Sequence, residues 1–247
     1  MLIFDRQSIK YYFEHDAAIR RTIQPVPLRG KIGGLMYDNI EEKPYKHKKK
    51  MEFLEAGFAL FSERSIDAVT LEDVAKACGH GVATVYRYFG TKSGLLLEIA
   101  KWKWGEFFLE NQKRRPADYE ALTAAELFAF YLDSFVFLFE GYRELLRFNQ
   151  FLNIYIRSGG LESGDLRMYQ GLLKPVFGIF QAIEKKAEDG TLTKDAAPKE
   201  ILSVSIHLML AVVTRYAVGL VYEPEGFDPT AEIEIQKEML LAKYTTH

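Results

Sequence analysis

The sequence predicts an all-α protein in which a small three-helix head is followed by a larger helical body. From residue 46 onwards, apolar residues recur at three- and four-residue steps, and no run shows the strict alternation of a half-buried strand. Glycine and proline separate these runs, as they do where helices end and begin. With 48% hydrophobic residues among 247, the chain can bury a substantial core, which excludes an intrinsically disordered protein.

Residues 1–45 precede this pattern, and three interpretations of them stay open. The segment contains a candidate helix, Ser8–Arg21, and then a linker rich in proline and glycine. Its arginine and lysine residues could form an arm along a polyanion, or the segment could be a plain surface tail. Alternatively, translation starts at Met36, because Lys31–Met36 can be encoded by a purine-rich ribosome-binding site followed by ATG.

The head is predicted from a first helix, Lys46–Ser65, and two short helices joined by a tight turn. Thr70 has the side chain of a helix N-cap, and Asp73 stands near the capping-box position. Gly79 suits the left-handed residue that ends a helix, and a new helix is predicted over Val82–Phe89. Two short helices that meet at a glycine-containing turn form a helix-turn-helix motif.

Charge is unevenly distributed along the chain. Residues 43–104 hold 11 Lys and Arg against 7 Asp and Glu, a net charge of +4, whereas residues 105–247 hold 15 against 21, a net charge of −6. Four lysines and a histidine lie within Lys46–Lys50, at the start of the first helix. A basic segment attached to an acidic body favours a polyanionic partner for the head alone.

This stretch resembles the tetracycline-repressor (TetR/AcrR) family of bacterial transcriptional regulators. The resemblance runs from about Lys46 to Trp104, roughly a quarter of the chain. The matching residues are Phe53, Ala56 and Phe61 in the first helix, Thr70-Leu-Glu-Asp-Val-Ala75, Gly79, Thr84-Val-Tyr-Arg-Tyr-Phe89, Lys92, Leu95 and Leu96.

The resemblance implies that the second short helix reads double-stranded DNA. In the family, positions matching Thr70, Thr84, Tyr86 and Lys92 tend to contact phosphates, and positions 82–87 face bases. The expected DNA-binding residues are Thr70, Gly81, Val82, Ala83, Thr84, Tyr86, Arg87, Tyr88 and Lys92. The chain departs from the family pattern at His80, Gly81, Val82, Ala83 and Gly90. The resemblance therefore leaves the operator sequence open.

The body is predicted as a series of capped helices. A connecting helix starts near Thr91 and continues to about Arg114, and Leu95, Leu96, Ile99, Trp102 and Phe107 are expected to face inward. The later helices are predicted over Thr123–Glu140, Arg143–Arg157, Asp165–Asp189 with a kink at Pro175, Pro198–Val221 and Pro229–Tyr244. A capping box at Thr123, breaks at glycines and prolines in first turns mark their ends.

Aromatic side chains form stripes at helical spacing along the body. Such stripes usually form a hydrophobic core, and an effector pocket is the alternative interpretation. By resemblance to the family, the body helices enclose a pocket for a small apolar or aromatic effector, which a few polar groups such as Asn149 and Asn153 would orient. The expected pocket residues are Phe128, Tyr131, Phe135, Phe148, Phe151, Tyr155, Phe177 and His207.

The resemblance also implies a domain division and a homodimer. It divides the chain into an N-terminal extension or linker (1–45), a helix-turn-helix DNA-binding domain (46–105) and an effector-binding and dimerisation domain (106–247). In the family, the last two helices of each subunit pair as a four-helix interface, here Pro198–Val221 and Pro229–Tyr244. A dimer holds two reading helices about one DNA turn apart, so that they read a palindrome.

These observations predict a small-molecule-responsive repressor that binds a palindromic operator as a homodimer. The alternative is a relative that keeps the fold but acts as a ligand-binding adaptor or coactivator through protein contacts. Such a relative would lose its phosphate-contacting residues, and Thr84, Tyr86 and Lys92 are present. An enzyme is not expected, because we find no nucleophile elbow, HExxH motif, phosphate loop or Cys/His cluster.

We expect no cofactor, no metal and no membrane partner. The one cysteine, Cys78, excludes an internal disulfide and suits a reducing cytoplasm, where the protein would lie on the nucleoid. The N-terminus lacks the apolar core of a signal peptide. The longest apolar run, Leu202–Tyr222, contains His207 and Arg215, so we expect a buried helix in a soluble core or dimer interface.

Overall fold

The structure is a computed structural model and describes residues 44–172, 174–219, 226 and 228–246. In this part of the chain it contains ten α-helices, two single-turn 3₁₀ helices and no strand. The all-α prediction is therefore confirmed. The candidate helix Ser8–Arg21 and the three interpretations of residues 1–45 concern a segment that, up to residue 43, lies outside the described residues.

Three helices form the head, at the predicted places. They are α1 (Pro44–Glu63), α2 (Leu71–Ala77) and α3 (Val82–Phe89). Phe53, Leu54 and Phe61 of α1 are buried, as their spacing predicts. At Gly57 a Cβ atom would lie only 2.9 Å from the Cδ1 atom of Ile99, so a side chain there would force the Ile99 side chain to shift.

Helix α4 (Lys92–Lys113) leads from the head into the body. Thr91 caps it, because its hydroxyl accepts the Gly94 N–H at 2.9 Å. The prediction that Trp102 faces inward holds in part: its ring meets Phe58 of α1 edge-on with centroids 6.4 Å apart. The side chain is only half-buried, and its Nε1 donates to the carboxylate of Glu106. Trp104 is the buried tryptophan, since two residues turn a helix by about 200° and so change the face.

Six helices form the body: α5 (Ala124–Gly141), α6 (Arg143–Arg157), α7 (Ser163–Leu172), α8 (Lys174–Lys186), α9 (Pro198–Val218) and α10 (Pro229–Tyr244). Helix α5 is central and packs against α8, α9 and α10, whereas α6 packs against α1 and α9 and α7 packs against α4. Within the predicted kinked helix Asp165–Asp189, the described residues are helical up to Leu172 and from Lys174 to Lys186, and Ala187–Asp189 form a 3₁₀ turn. Residue 173, between α7 and α8, lies outside the described residues.

Local side-chain chemistry fixes several of these helix ends. Thr123 and Glu126 form the predicted capping box at the start of α5, and Asp228 caps α10. Helix α9 is the one described helix that is long and apolar enough to cross a bilayer. Half of its apolar stretch is buried within the protein, and one such helix is weak evidence for a membrane span.

Candidate functional site

The turn between α2 and α3 is built from backbone geometry and from contacts with α1. Gly79 has a φ of +69°, a conformation that glycine adopts without strain, and the N–H of His80 donates to the carbonyl of Ala75 at 2.9 Å. His80, a departure from the family pattern, places its Nε2 3.1 Å from the carboxylate of Glu52 and its ring edge-on to Phe53. The turn is thereby held against α1.

Thr70 is engaged in the cap of α2. Its hydroxyl accepts the N–H of Asp73 at 3.1 Å and donates to the Asp73 carboxylate at 2.8 Å. The backbone N–H of Thr70 also donates to that carboxylate at 2.8 Å. These hydrogen bonds lower the pKa of Asp73, because they stabilise its ionised form. Thr70 is exposed, but its hydroxyl already has partners in the free protein.

Helix α3 has one buried side and one exposed side. Val85 and Phe89 are buried in the head, whereas Ala83, Tyr86 and Arg87 are exposed, Tyr86 by 48%. No described carboxylate forms an ion pair with Arg87, whose guanidinium lies 5.9 Å from the Tyr88 ring centroid.

The other predicted members of α3 are less accessible. Val82, Thr84 and Tyr88 are half-buried, and the Tyr88 ring packs on Phe53 at 5.8 Å, so Tyr88 lies against the core of the head. Gly81 is the N-cap and has no side chain to bond to the first N–H groups of α3. Those N–H groups point out of the positive end of the helix dipole, which favours an anion.

Lys92 does not extend from the surface as the family position implies. Its ammonium donates a short hydrogen bond to the carbonyl of Ile66. It also lies 5.8 Å from the ring centroids of Phe61, in α1, and Tyr155, in α6. Burial lowers the pKa of Lys92, and Asp67 opposes this effect. The lysine therefore links the head to the body in the free protein.

The start of α1 carries a row of exposed basic residues. Lys46, His47 and Lys48 are exposed, and the Lys49 ammonium lies 4.9 Å from the Tyr45 ring centroid. Lys50 instead pairs with Glu98 of α4 at 2.9 Å. The outer lysines of this row are thus available to an external anion.

The predicted pocket residues fall into separate groups. Phe128, Tyr131 and Phe135 are buried along α5, where Tyr131 meets Phe180 of α8 with ring centroids 5.3 Å apart. Phe128 meets the ring of Tyr244 at 6.4 Å.

A second group lies on α6 and faces the head. Phe148 packs against Phe58 of α1 at 5.7 Å, Tyr155 lies beside Lys92, and Phe151 is half-buried. His207 was expected in the pocket, but its side chain is exposed on α9. The side chain of Phe177 lies outside the described part of the structure.

Exposed apolar side chains lie along the last two helices. Val204 and Leu208 are exposed on α9 by 42% and 49%, one turn apart, and Ile235 and Met239 on α10 by 54% and 66%. Their spacing of four residues places each pair on one helix face. Ile233 and Leu240, also on α10, are instead buried within the protomer.

The comparisons with known proteins agree with this architecture. Residues 53–99 match the family model of bacterial regulatory proteins, tetR family. A search of curated protein sequences found no match.

Solved structures share the fold over most of the chain. The ketosteroid transcriptional regulator of Mycobacterium tuberculosis is 15% identical with a TM-score of 0.60, covering 85% of this chain and 98% of that chain. FadR of Bacillus subtilis, in complex with stearoyl-CoA, is 19% identical with a TM-score of 0.57, covering 80% and 99%. SmeT, the repressor of a Stenotrophomonas maltophilia multidrug efflux pump, is 22% identical with a TM-score of 0.56, covering 80% and 90%.

Proposed function

We propose that this chain, which belongs to the tetR family of bacterial regulatory proteins, is a repressor that binds a palindromic DNA operator as a homodimer and is released by a small apolar or aromatic effector. Regulators of this family are DNA-binding transcriptional repressors, cytoplasmic and non-enzymatic. The following observations support the three remaining components of the proposal: operator binding, homodimerisation and release by an effector.

The observation that carries the proposal is the exposed side of α3. Arg87 has no described ion-pair partner, and an arginine guanidinium in the major groove donates two hydrogen bonds to guanine O6 and N7. Ala83 beside it can contact a thymine methyl group, and the exposed Tyr86 hydroxyl can donate to a phosphate. Base readout is therefore assigned mainly to Arg87.

Two further features of the head favour DNA phosphates. The exposed lysines at the start of α1, Lys46 and Lys48, add positive charge to the head. The N-terminus of α3, which Gly81 leaves without a side-chain cap, offers backbone N–H groups to an anion. These contacts would position the head without carrying sequence information.

Homodimerisation is supported by the exposed apolar residues of α9 and α10. Fully burying a leucine side chain contributes about 1.5–3 kcal/mol. Leu208 is 49% exposed, so covering it would contribute roughly half of that, once in each protomer. The exposed apolar pairs Val204 and Leu208 on α9 and Ile235 and Met239 on α10 therefore favour a second copy of the chain as their cover.

Release by an effector needs a route from the body to the head. The hydroxyl of Ser93, at the start of α4, donates to the carbonyl of Gly160 in the turn between α6 and α7 at 3.1 Å. The ammonium of the neighbouring Lys92 contacts both the carbonyl of Ile66, in the head, and the ring of Tyr155, in the body. An effector that binds one arrangement of the body more tightly would shift the conformational equilibrium toward that arrangement. The size of the shift is set by the difference between its affinities for the two arrangements, and the heads would move with the body.

Selection of DNA by the full-length protein tests the proposal. Random 40-base-pair duplexes should yield an inverted repeat whose half-site centres lie about 34–36 Å apart, or a multiple of that distance. Selection should be repeated with a double variant, Tyr86→Phe with Arg87→Ala, as the matched control. Folded wild-type protein that enriches no repeat would contradict operator binding and favour the adaptor alternative.

A further inference from the structure

The hydroxyl of Tyr131 is buried in the body, and no described residue forms a hydrogen bond with it. The side chain is only 3% exposed. A buried hydroxyl without a partner is unfavourable, and native proteins pair the large majority of such groups. Burial raises the pKa of Tyr131 well above its usual range, so the group is a neutral donor at physiological pH.

The surroundings of this hydroxyl are aromatic. The Tyr131 ring meets Phe135 edge-on, with centroids 5.2 Å apart, and Phe180 of α8 at 5.3 Å. Phe180 is half-buried. Burial raises the pKa of Tyr131, and no charged group among the described residues contributes to this shift. A donor thus lies in an apolar cluster between α5 and α8.

Tyr169 shows how the same fold treats another buried tyrosine. Its hydroxyl donates to the amide oxygen of Asn149 at 2.8 Å and lies 3.2 Å from that of Asn153. Both asparagines, which the sequence offers as polar groups for a ligand, therefore serve the contact between α6 and α7. Tyr131 is the buried tyrosine that the described part of the chain leaves without a partner.

We infer that Tyr131 donates a hydrogen bond to the bound effector, and that the effector is an uncharged, mainly apolar molecule carrying a carbonyl or ether oxygen. This inference rests on the proposed effector site. An anionic group would be desolvated without a charged partner, which is strongly unfavourable. A quaternary ammonium group cannot accept the hydrogen bond. A neutral acceptor satisfies the hydroxyl and costs little to bury.

Four naphthalenes of similar size test the inference: 2-acetylnaphthalene, 2-ethylnaphthalene, 2-naphthoate and trimethyl(2-naphthyl)ammonium. Their dissociation constants should be measured by calorimetry and thermal shift on the full-length protein and on Tyr131→Phe. The ketone should bind wild-type protein roughly 3- to 30-fold more tightly than the ethyl compound, and more tightly than either ion. In Tyr131→Phe the ketone and the ethyl compound should bind alike.

Tyr169→Phe is the matched control. It should lower the melting temperature, because Asn149 loses its hydrogen bond, but it should keep the preference for the ketone. Ligand-free Tyr131→Phe should melt at or above the wild-type temperature, since it removes an unpaired hydroxyl.

The outcomes separate this inference from the proposed function. A ketone preference that survives in Tyr131→Phe, or naphthoate that binds as tightly as the ketone, would overturn the hydrogen bond and leave the effector site standing. If the melting temperature falls as far in Tyr131→Phe as in Tyr169→Phe, the Tyr131 hydroxyl has a hydrogen-bond partner within the protein. That result would also overturn the hydrogen bond to the effector and leave the effector site standing. If none of the four compounds binds wild-type protein, the effector site fails and this inference with it.

Discussion

Lys92 is expected to stabilise the protein and not to bind phosphate, contrary to the expectation from the family position. In the structure its ammonium bonds to the carbonyl of Ile66 and lies beside the rings of Phe61 and Tyr155. Lys92→Met removes the charge and keeps most of the apolar stem. The variant should therefore lose these contacts while the packing around them is retained.

The expected loss follows from those contacts. A hydrogen bond from a charged donor contributes about 1.5–3 kcal/mol, and the lower end applies here because the lysine is only half-buried. Each cation–π contact at this degree of exposure adds about 0.5 kcal/mol. Allowing for solvent screening, Lys92→Met should lower the free energy of unfolding by about 1–2 kcal/mol, or the melting temperature by roughly 2–8 °C.

Two measurements distinguish the interpretations, and Lys48→Met is the matched control. Operator affinity should be titrated against salt, and melting should be followed at one fixed protein concentration, because dimers melt in a concentration-dependent way. Lys92→Met should melt earlier and leave the salt slope unchanged. Lys48→Met should melt as the wild type does and lower the slope by about 0.9 for each protomer, or about 1.8 for the dimer. A lower slope with unchanged melting in Lys92→Met would refute the inward contact.

Three further substitutions test the DNA contacts, the dimer and the cap. Arg87→Ala should abolish the preference at one symmetric position of a randomised operator, worth ~1–3 kcal/mol, whereas uniform weakening would contradict base readout. Leu208→Glu should give monomers in sedimentation, and Leu109→Glu, at a comparably exposed leucine of α4, should not; wild-type protein that sediments as a monomer would contradict the dimer. Thr70→Val should lower the melting temperature by about 2–4 °C at neutral pH. The difference should shrink below about pH 4, because the Thr70 hydrogen bonds lower the pKa of Asp73 and lose their effect when that carboxylate is protonated; a difference that persists at low pH would contradict this account.

Helix ends could be predicted where local chemistry determines them. The capping boxes at Thr70 and Thr123 and the bounds of Val82–Phe89 depend on residues close in sequence, and the structure has them at the predicted places. Trp102 is only half-buried against Phe58, whereas Trp104 is buried. This difference could not be predicted, because periodicity gives the spacing of apolar residues but not which of two nearby tryptophans is covered more fully. That choice depends on long-range packing.

The same distinction applies to the candidate site. The exposure of Tyr86 and Arg87 on α3 agrees with a local pattern in which Val85 and Phe89 form the buried face. The predicted pocket residues lie in separate groups, because aromatic stripes on different helices look alike in sequence but pack against different helices. Phe148, for example, contacts α1 because α6 packs against the head, and the residues close to Phe148 in sequence do not predict this packing.

Helix α4 is held at both ends by different parts of the protein. It thereby connects the regions proposed for DNA binding, effector binding and dimerisation. At its start, Ser93 donates to the Gly160 carbonyl, and the helix follows the reading helix α3 after only two residues. At its end, Arg114 pairs with Asp133 of α5, which also lies 3.3 Å from the ammonium of Lys237 in α10. A helix of 22 residues spans about 33 Å and resists bending between these ends. Under the proposed function, an effector that displaces α5 would therefore act through one stiff element on the DNA-reading head and, through Asp133, on a helix of the proposed dimer interface. We therefore expect that ligand binding would change the spacing of the two heads in the proposed dimer.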